Sequence, residues 1–115
     1  MSKKITLIAE IGENYLGDLK LAKKLIYQAK KNGADYAKFQ SYNEHCLKIT
    51  DPEYDWFKKV SLKNLDHQIL KKECKKNDIK FLSSPFSLER AKFLCEELKM
   101  KTIKVASSKM IERNL

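Results

Sequence analysis

The sequence predicts an α/β fold with parallel strands, and three observations carry that reading. Short β-rich apolar runs recur at 5–11, 35–42, 79–86 and 102–108. Between them lie segments with helical spacing of apolar residues, at 18–33, 61–77 and 87–98. Polar residues gather at the carboxyl ends of the strand-like runs. The order is β-α-β-α-β-α-β, about four strands alternating with three helices, and such alternation implies parallel strands joined by right-handed crossovers.

Residues 5–11, ITLIAEI, read as a buried strand that delivers the carboxylate of Glu10 near its carboxyl end. Asp18 then suits a helix N-cap. Leu21, Ala22, Leu25, Ile26 and Ala29 return at 3.6-residue spacing, and Gly33 supplies a C-terminal stop. In DYAKFQSY, 35–42, strand alternation puts Lys38 and Gln40 on one face. Residues 43–61 read as an irregular loop that carries the aromatic residues of TDPEYDWFKK. That is long for a βα connection, which makes it a candidate functional segment. SLKNLDHQILKKECKKN returns to helical spacing, with Leu62, Leu65, Ile69 and Cys74 as the expected buried stripe and His67 expected at the surface. IKFLSSPF gives the third strand. A helix capped by Ser87 carries Ala91, Leu94 and Leu98, and TIKVASS gives the fourth strand.

A chain of 115 residues suffices for one domain with a core, at the small end for an enzyme. No apolar run approaches the roughly 18 residues that a spanning helix needs, so no membrane association is expected. The N-terminal apolar run is short and carries Glu10, which argues against a targeting segment and for a cytoplasmic protein. The net charge of +9 raises a nucleic-acid partner, because clustered cations release counterions from phosphates. Of 24 Lys and Arg, however, only Arg90 and Arg113 are arginine, and the lysines fall largely in helical patterns such as KLAKKLIYQAKK. A solvated helix face accounts for them, and no nucleic-acid partner is expected. Cys46, Cys74 and Cys95 are odd in number and far apart, which fits neither a disulfide framework nor zinc ligation; reduced thiols are expected.

In parallel α/β folds ligands collect at the carboxyl ends of the strands. Glu10, Lys38 with Gln40, Ser83 with Ser84, and Lys104 with Ser107 all fall at or near those ends. A lysine inside a buried strand requires an anion, and a ligand phosphate or carboxylate is a natural partner, whereas a lysine on an edge strand needs none. Glu10 reads either as a satisfied core carboxylate or as a group that orients a sugar hydroxyl or assists proton transfer. The hydroxyls of FLSSPFS read as the edge of a site, with Pro85 shaping the turn and Ser87 capping the next helix. His45 and His67 are too few and too scattered for a metal site. No Ser-His-Asp set, P-loop or GxGxxG fingerprint is present.

Taken in order, IAEIGENYLGDLKLAKKLIYQAKKNGADYAKFQSY, FLSSPFS and IKVASS resemble the sialic acid synthase group, which makes N-acetylneuraminate and related nonulosonic acids. The resemblance runs from Ile5 through almost the whole chain. It implies that 1–115 form the N-terminal portion of a (β/α)8 TIM barrel. It also implies a reaction that condenses phosphoenolpyruvate with an N-acetylated amino sugar, and a divalent metal, Mn²⁺ or Mg²⁺, whose histidine ligands the family carries on later strands. On the same resemblance Glu10, Lys38 and Lys104 are the expected catalytic residues, and Gln40, Ser84 and Ser107 bind substrate. Lys38 and Lys104 hold the phosphoenolpyruvate anion, Ser84 and Ser107 donate hydroxyls, and Glu10 and Gln40 face the sugar. Two positions depart from the family pattern: its usual Asn-His after the first strand is Asn14-Tyr15 here, and its acidic residue after the fourth strand's serine is Lys109. The family's C-terminal antifreeze-like domain is not expected in this chain. A part-barrel exposes its outer strands, so self-association or pairing with a complementing C-terminal half is expected. The alternative is a non-catalytic chain that binds an anionic or sugar ligand, or a full-length synthase.

Overall fold

The computed structural model describes residues 5–110. Three strands, β1 (Ile8–Gly12), β2 (Tyr36–Ser41) and β3 (Lys80–Pro85), form one parallel sheet in the order β1-β2-β3. Helix α1 (Leu19–Lys31) connects β1 to β2 and begins as expected: the Asp18 carboxylate accepts from the Lys20 and Leu21 N–H groups. It ends at Asn32, and Gly33 follows at φ +94°, a left-handed conformation that glycine adopts without a Cβ clash. Two helices, α2 (Tyr54–Val60) and α3 (Asn64–Lys76), lie between β2 and β3. After β3 comes α4 (Leu88–Lys92), which continues into a π-helical turn, Phe93–Glu97. Ser87 Oγ accepts from the Arg90 N–H as its cap.

One face of the sheet is covered by helices. Ala37, Phe39 and Phe81 point to it and meet Ala22 and Ile26 of α1, Leu70 and Cys74 of α3, and Phe93, Leu94 and Leu98. Phe39 and Phe81 stack with centroids 5.6 Å apart. Because side chains alternate along a strand, the residues of opposite parity, Lys38, Gln40, Leu82 and Ser84, line the other face.

Four expectations about the elements are corrected, and a fifth concerns His67. Among the described residues there are three strands rather than four: 102–106 run beside β3 with one backbone bond, from the Lys104 N–H to the Ser83 carbonyl (3.1 Å), and Ser107–Lys109 turn into a 3-10 helix. Lys104 and Val105 remain exposed, so burial does not drive the segment into a ladder. The described residues hold four α-helices rather than three, because part of the expected loop 43–61 folds as α2. The buried stripe of α3 is His67, Leu70 and Cys74, while Leu65 is 65% exposed; nine residues at about 100° each put Leu65 on the side of the helix opposite Cys74. Finally, β1 is an edge strand with Leu7, Ile8 and Glu10 exposed rather than a buried one.

The thiols of Cys46, Cys74 and Cys95 are free, and burial, with a smaller contribution from Glu73, pushes Cys74 up to about 12. No described helix is long and apolar enough to cross a membrane.

His67 is buried rather than at the surface. Its Nδ1–H donates to the Lys63 carbonyl (2.8 Å), and its ring meets Phe93 edge-on at 5.2 Å. Burial lowers its pKa; the Lys63 carbonyl opposes this, the Arg90 charge adds to it and Asp66 opposes it. The fold therefore holds the neutral ring, and the unfolded chain takes up the extra proton as pH falls below about 6.5. Melting temperature is expected to be level above that pH and to decline below it. His67→Gln, which can still donate to Lys63, should flatten the decline relative to the parent.

Candidate functional site

The uncovered face of β2 and β3 carries a polar row. Lys38 is only 6% exposed although it sits in a strand, and its Nζ lies 2.6 Å from Glu10 Oε2. The Glu10 side chain is 56% exposed, because β1 is the sheet edge. Register places Glu10 opposite Lys38, Lys38 opposite Leu82, and Gln40 opposite Ser84. Gln40 Oε1 and Ser84 Oγ are buried and have no hydrogen-bond partner among the described residues. A buried polar atom without a partner costs roughly 1–3 kcal/mol. Two of them flank a buried cation at the carboxyl end of a parallel sheet, where they have the capacity to hydrogen-bond a polar ligand.

The anion that Lys38 requires is thus already present as Glu10, a partner 28 positions away that the sequence did not reveal. Of the six expected site residues, the structure brings together Glu10, Lys38, Gln40 and Ser84. The side chains of Lys104 and Ser107 are exposed beyond β3, and among the described residues no hydrogen bond or ion pair joins them to the row.

An aromatic cluster stands at the outer end of the same row. Tyr42 and Phe86 directly follow β2 and β3, and their rings meet edge-on with centroids 5.5 Å apart. Phe57 of α2 stacks on Tyr42 at 4.1 Å. Glu13, just after β1, accepts from the Tyr42 hydroxyl and the Trp56 indole N–H, each at 2.6 Å. The Tyr15 hydroxyl donates to the Val60 carbonyl. Burial raises the pKa of both tyrosines, and Glu13 raises them further, so both remain proton donors.

The turn after β1 therefore clasps α2 at Trp56, Lys59 and Val60. Gly17 completes the clasp: it sits at φ +80°, and a Cβ there would lie 2.9 Å from the Lys59 carbonyl oxygen. Gly17→Ala is expected to cost about 1–2 kcal/mol from the left-handed backbone alone, and more from that contact. Urea unfolding midpoints measure it. The sequence signalled this cluster only as a run of aromatic residues within a polar segment. Glu13 carried no signal, and Tyr15, noted as a departure from Asn-His, proves to be a structural anchor.

Among the described residues no group of three His, Cys, Asp or Glu could hold a metal ion. His45 is exposed and His67 is committed to Lys63, so these residues do not fit the expected Mn²⁺ or Mg²⁺, and no chemical step is assigned to one. A cavity of about 1180 Å³ opens at the opposite end of the sheet, near Asp35, Tyr36, Lys80 and Thr102. It lies at the amino ends of the strands, away from the polar row.

Comparison with known proteins bears on this geometry. The NeuB family model matches residues 25–115. An N,N'-diacetyllegionaminic acid synthase of Campylobacter jejuni is 40% identical over 94% of this chain and 36% of its own. The Legionella pneumophila synthase of the same description is 34% identical over 90% of this chain and 33% of its own. A solved N-acetylneuraminic acid synthetase from Leptospira borgpetersenii superposes with a TM-score of 0.86 at 29% identity, covering 93% of this chain and 38% of that one. The chain spans about a third of the length of the curated relatives it matches. The resemblance drawn from the rim motifs and the extent of these matches converge on one conclusion: the chain belongs to the NeuB family.

Proposed function

We propose that this chain supplies the first part of the substrate-binding rim of a nonulosonic acid synthase, as a partial (β/α)8 barrel that condenses phosphoenolpyruvate with an N-acetylated amino sugar once a complementing half closes it. The observation that supports this best is the row formed by buried Lys38 with the unpartnered polar atoms of Gln40 and Ser84. In this reading the Lys38 ammonium takes the carboxylate or phosphate of phosphoenolpyruvate, and Ser84 donates its hydroxyl to the same anion. Gln40 and Glu10 face the sugar. Lys104 and Ser107 join the site when 102–108 pair fully with β3. The reaction forms a bond from C3 of phosphoenolpyruvate to the sugar's aldehyde carbon; water adds at C2 and phosphate leaves. A divalent metal would be held by elements other than the described residues.

Binding of a ligand to the native state alone raises apparent stability. Phosphoenolpyruvate is expected to raise the melting temperature of the purified chain, and Lys38→Ala and Lys104→Ala are expected to remove that shift. Retention of the full shift in both variants would reject the assignment. A second reading, a non-catalytic chain that binds an anion or sugar, is favoured by the exposed Lys104 and by Lys109 at the family's acidic position. Turnover of phosphoenolpyruvate and N-acetylmannosamine by the purified chain with Mn²⁺ would rule it out.

A further inference from the structure

Both hydrogen bonds that fix Glu13 fall on a single oxygen. Oε2 accepts from Tyr42 and from Trp56, while Oε1 accepts no hydrogen bond from a described residue. Glu13 as a residue is half-buried, and two donors set the position of its carboxylate and leave one oxygen with its acceptor capacity intact. Beside it Trp56 remains 38% exposed, with Lys59 Nζ 5.7 Å from the ring centroid over one face, although its N–H is satisfied by Glu13.

A fixed carboxylate oxygen next to a part-exposed indole suits a sugar, which would lie on the side of the ring away from Lys59. Hydroxyl and amide N–H groups donate to the oxygen, and the apolar C–H face of the ring lies on the indole. A phosphate or carboxylate would be repelled by Glu13, so the chemistry selects the uncharged partner of the two substrates. The position also fits. Glu13 follows the end of β1, and Tyr42 follows the end of β2, which puts the pair one step beyond Glu10, Lys38, Gln40 and Ser84 on the same rim.

We propose that Glu13 Oε1 and the Trp56 indole form a subsite for the N-acetylated amino sugar, accepting a hydroxyl or amide N–H at the outer end of the polar row. The class of ligand rests on the function proposed above; the held carboxylate and the exposed indole do not.

Trp56 is the only tryptophan in the sequence, so indole emission and the single indole N–H resonance report this residue alone. Titration with N-acetylmannosamine is expected to change both saturably. In Glu13→Gln the amide carbonyl can still accept from Tyr42 and Trp56, while the amide nitrogen turns the outward acceptor into a donor. That variant is expected to keep the unliganded indole resonance and melting temperature near those of the parent, and to bind the sugar at least about 10-fold more weakly. Glu13→Ala should also move the indole resonance before any sugar is added. Equal sugar affinity in Glu13→Gln overturns the subsite. So does a silent Trp56 in a chain that phosphoenolpyruvate still stabilises, and in that case the proposed function stands. A sugar response that depends on Glu13, in a chain that phosphoenolpyruvate does not stabilise, supports the subsite and removes the anion site instead.

Discussion

Lys38→Met is expected to abolish stabilisation by phosphoenolpyruvate while leaving the melting temperature of the unliganded chain nearly unchanged. Lys38 is buried in the central strand and neutralised by Glu10 at 2.6 Å. Replacing a buried charge with an apolar side chain of similar length removes a desolvation cost along with the ion pair, and the two roughly cancel. Methionine keeps the apolar stem and adapts to the space. What it cannot keep is the charge-assisted hydrogen bond to a ligand anion, about 1.5–3 kcal/mol, or roughly a 10- to 100-fold loss of affinity. Glu10→Gln tests the other half of the pair and should differ on both readouts, with a lower unliganded melting temperature and a larger response to the ligand. It leaves Lys38 buried without a counter-charge, at a cost of about 1–2 kcal/mol once the exposure of Glu10 is discounted. It also removes the group that competes with the ligand for Nζ, so phosphoenolpyruvate should stabilise Glu10→Gln more than the parent. Melts of the three proteins across a phosphoenolpyruvate titration decide the matter. Full stabilisation of Lys38→Met by the ligand would show that the anion does not bind there.

The features legible in the sequence are those that local chemistry determines. Asp18 and Ser87 cap helices because each hydroxyl or carboxylate oxygen meets an N–H two or three residues ahead. Gly33 ends α1 because it alone tolerates the required φ. The three strands stand where β-rich runs stand, and alternation within YAKFQ correctly separates Lys38 and Gln40 from the core. What remained hidden depends on partners far along the chain. The short helix α2 is held by Glu13, Tyr15 and Gly17, more than 40 positions away, and no local pattern encodes that clasp. Helical spacing alone does not say which side of α3 meets the sheet, and packing on the sheet and Phe93 puts His67 rather than Leu65 in the core. The segment 102–106 has the composition of a strand but only one ladder bond, since strand pairing is a property of neighbours rather than of residues. The Glu10–Lys38 pair is of the same kind: each half was legible, and their meeting was set by sheet register.

Phe39→Ala is expected to remove most of the stability of the chain and bring it close to its unfolding midpoint at room temperature. Phe39 is fully buried at the middle of the three-stranded sheet, stacked on Phe81 at 5.6 Å and tilted against Tyr15 at 6.0 Å. Truncating a buried phenylalanine costs about 3–5 kcal/mol, against a total of about 5–15 kcal/mol for a whole small domain. This sheet also leaves Leu7 and Ile8 exposed on its edge, so its reserve lies at the low end of that range. The loss should not be confined to the core. Phe39 supports the Tyr15 ring, whose hydroxyl holds the end of α2 at Val60, and α2 carries Trp56. The indole resonance of Phe39→Ala is therefore expected to gain a substantial random-coil component, with the urea midpoint moved towards zero denaturant. Phe39→Leu, which keeps most of the volume, should retain the folded indole resonance and a cooperative transition with a less lowered midpoint. Leu65→Ala, on the exposed face of α3, should change neither by more than about 0.5 kcal/mol. A cooperative transition in Phe39→Ala close to that of the parent would mean that the packing of the sheet on α1 and α3 does not hold this fold together, and that the clasp on α2 stands without it.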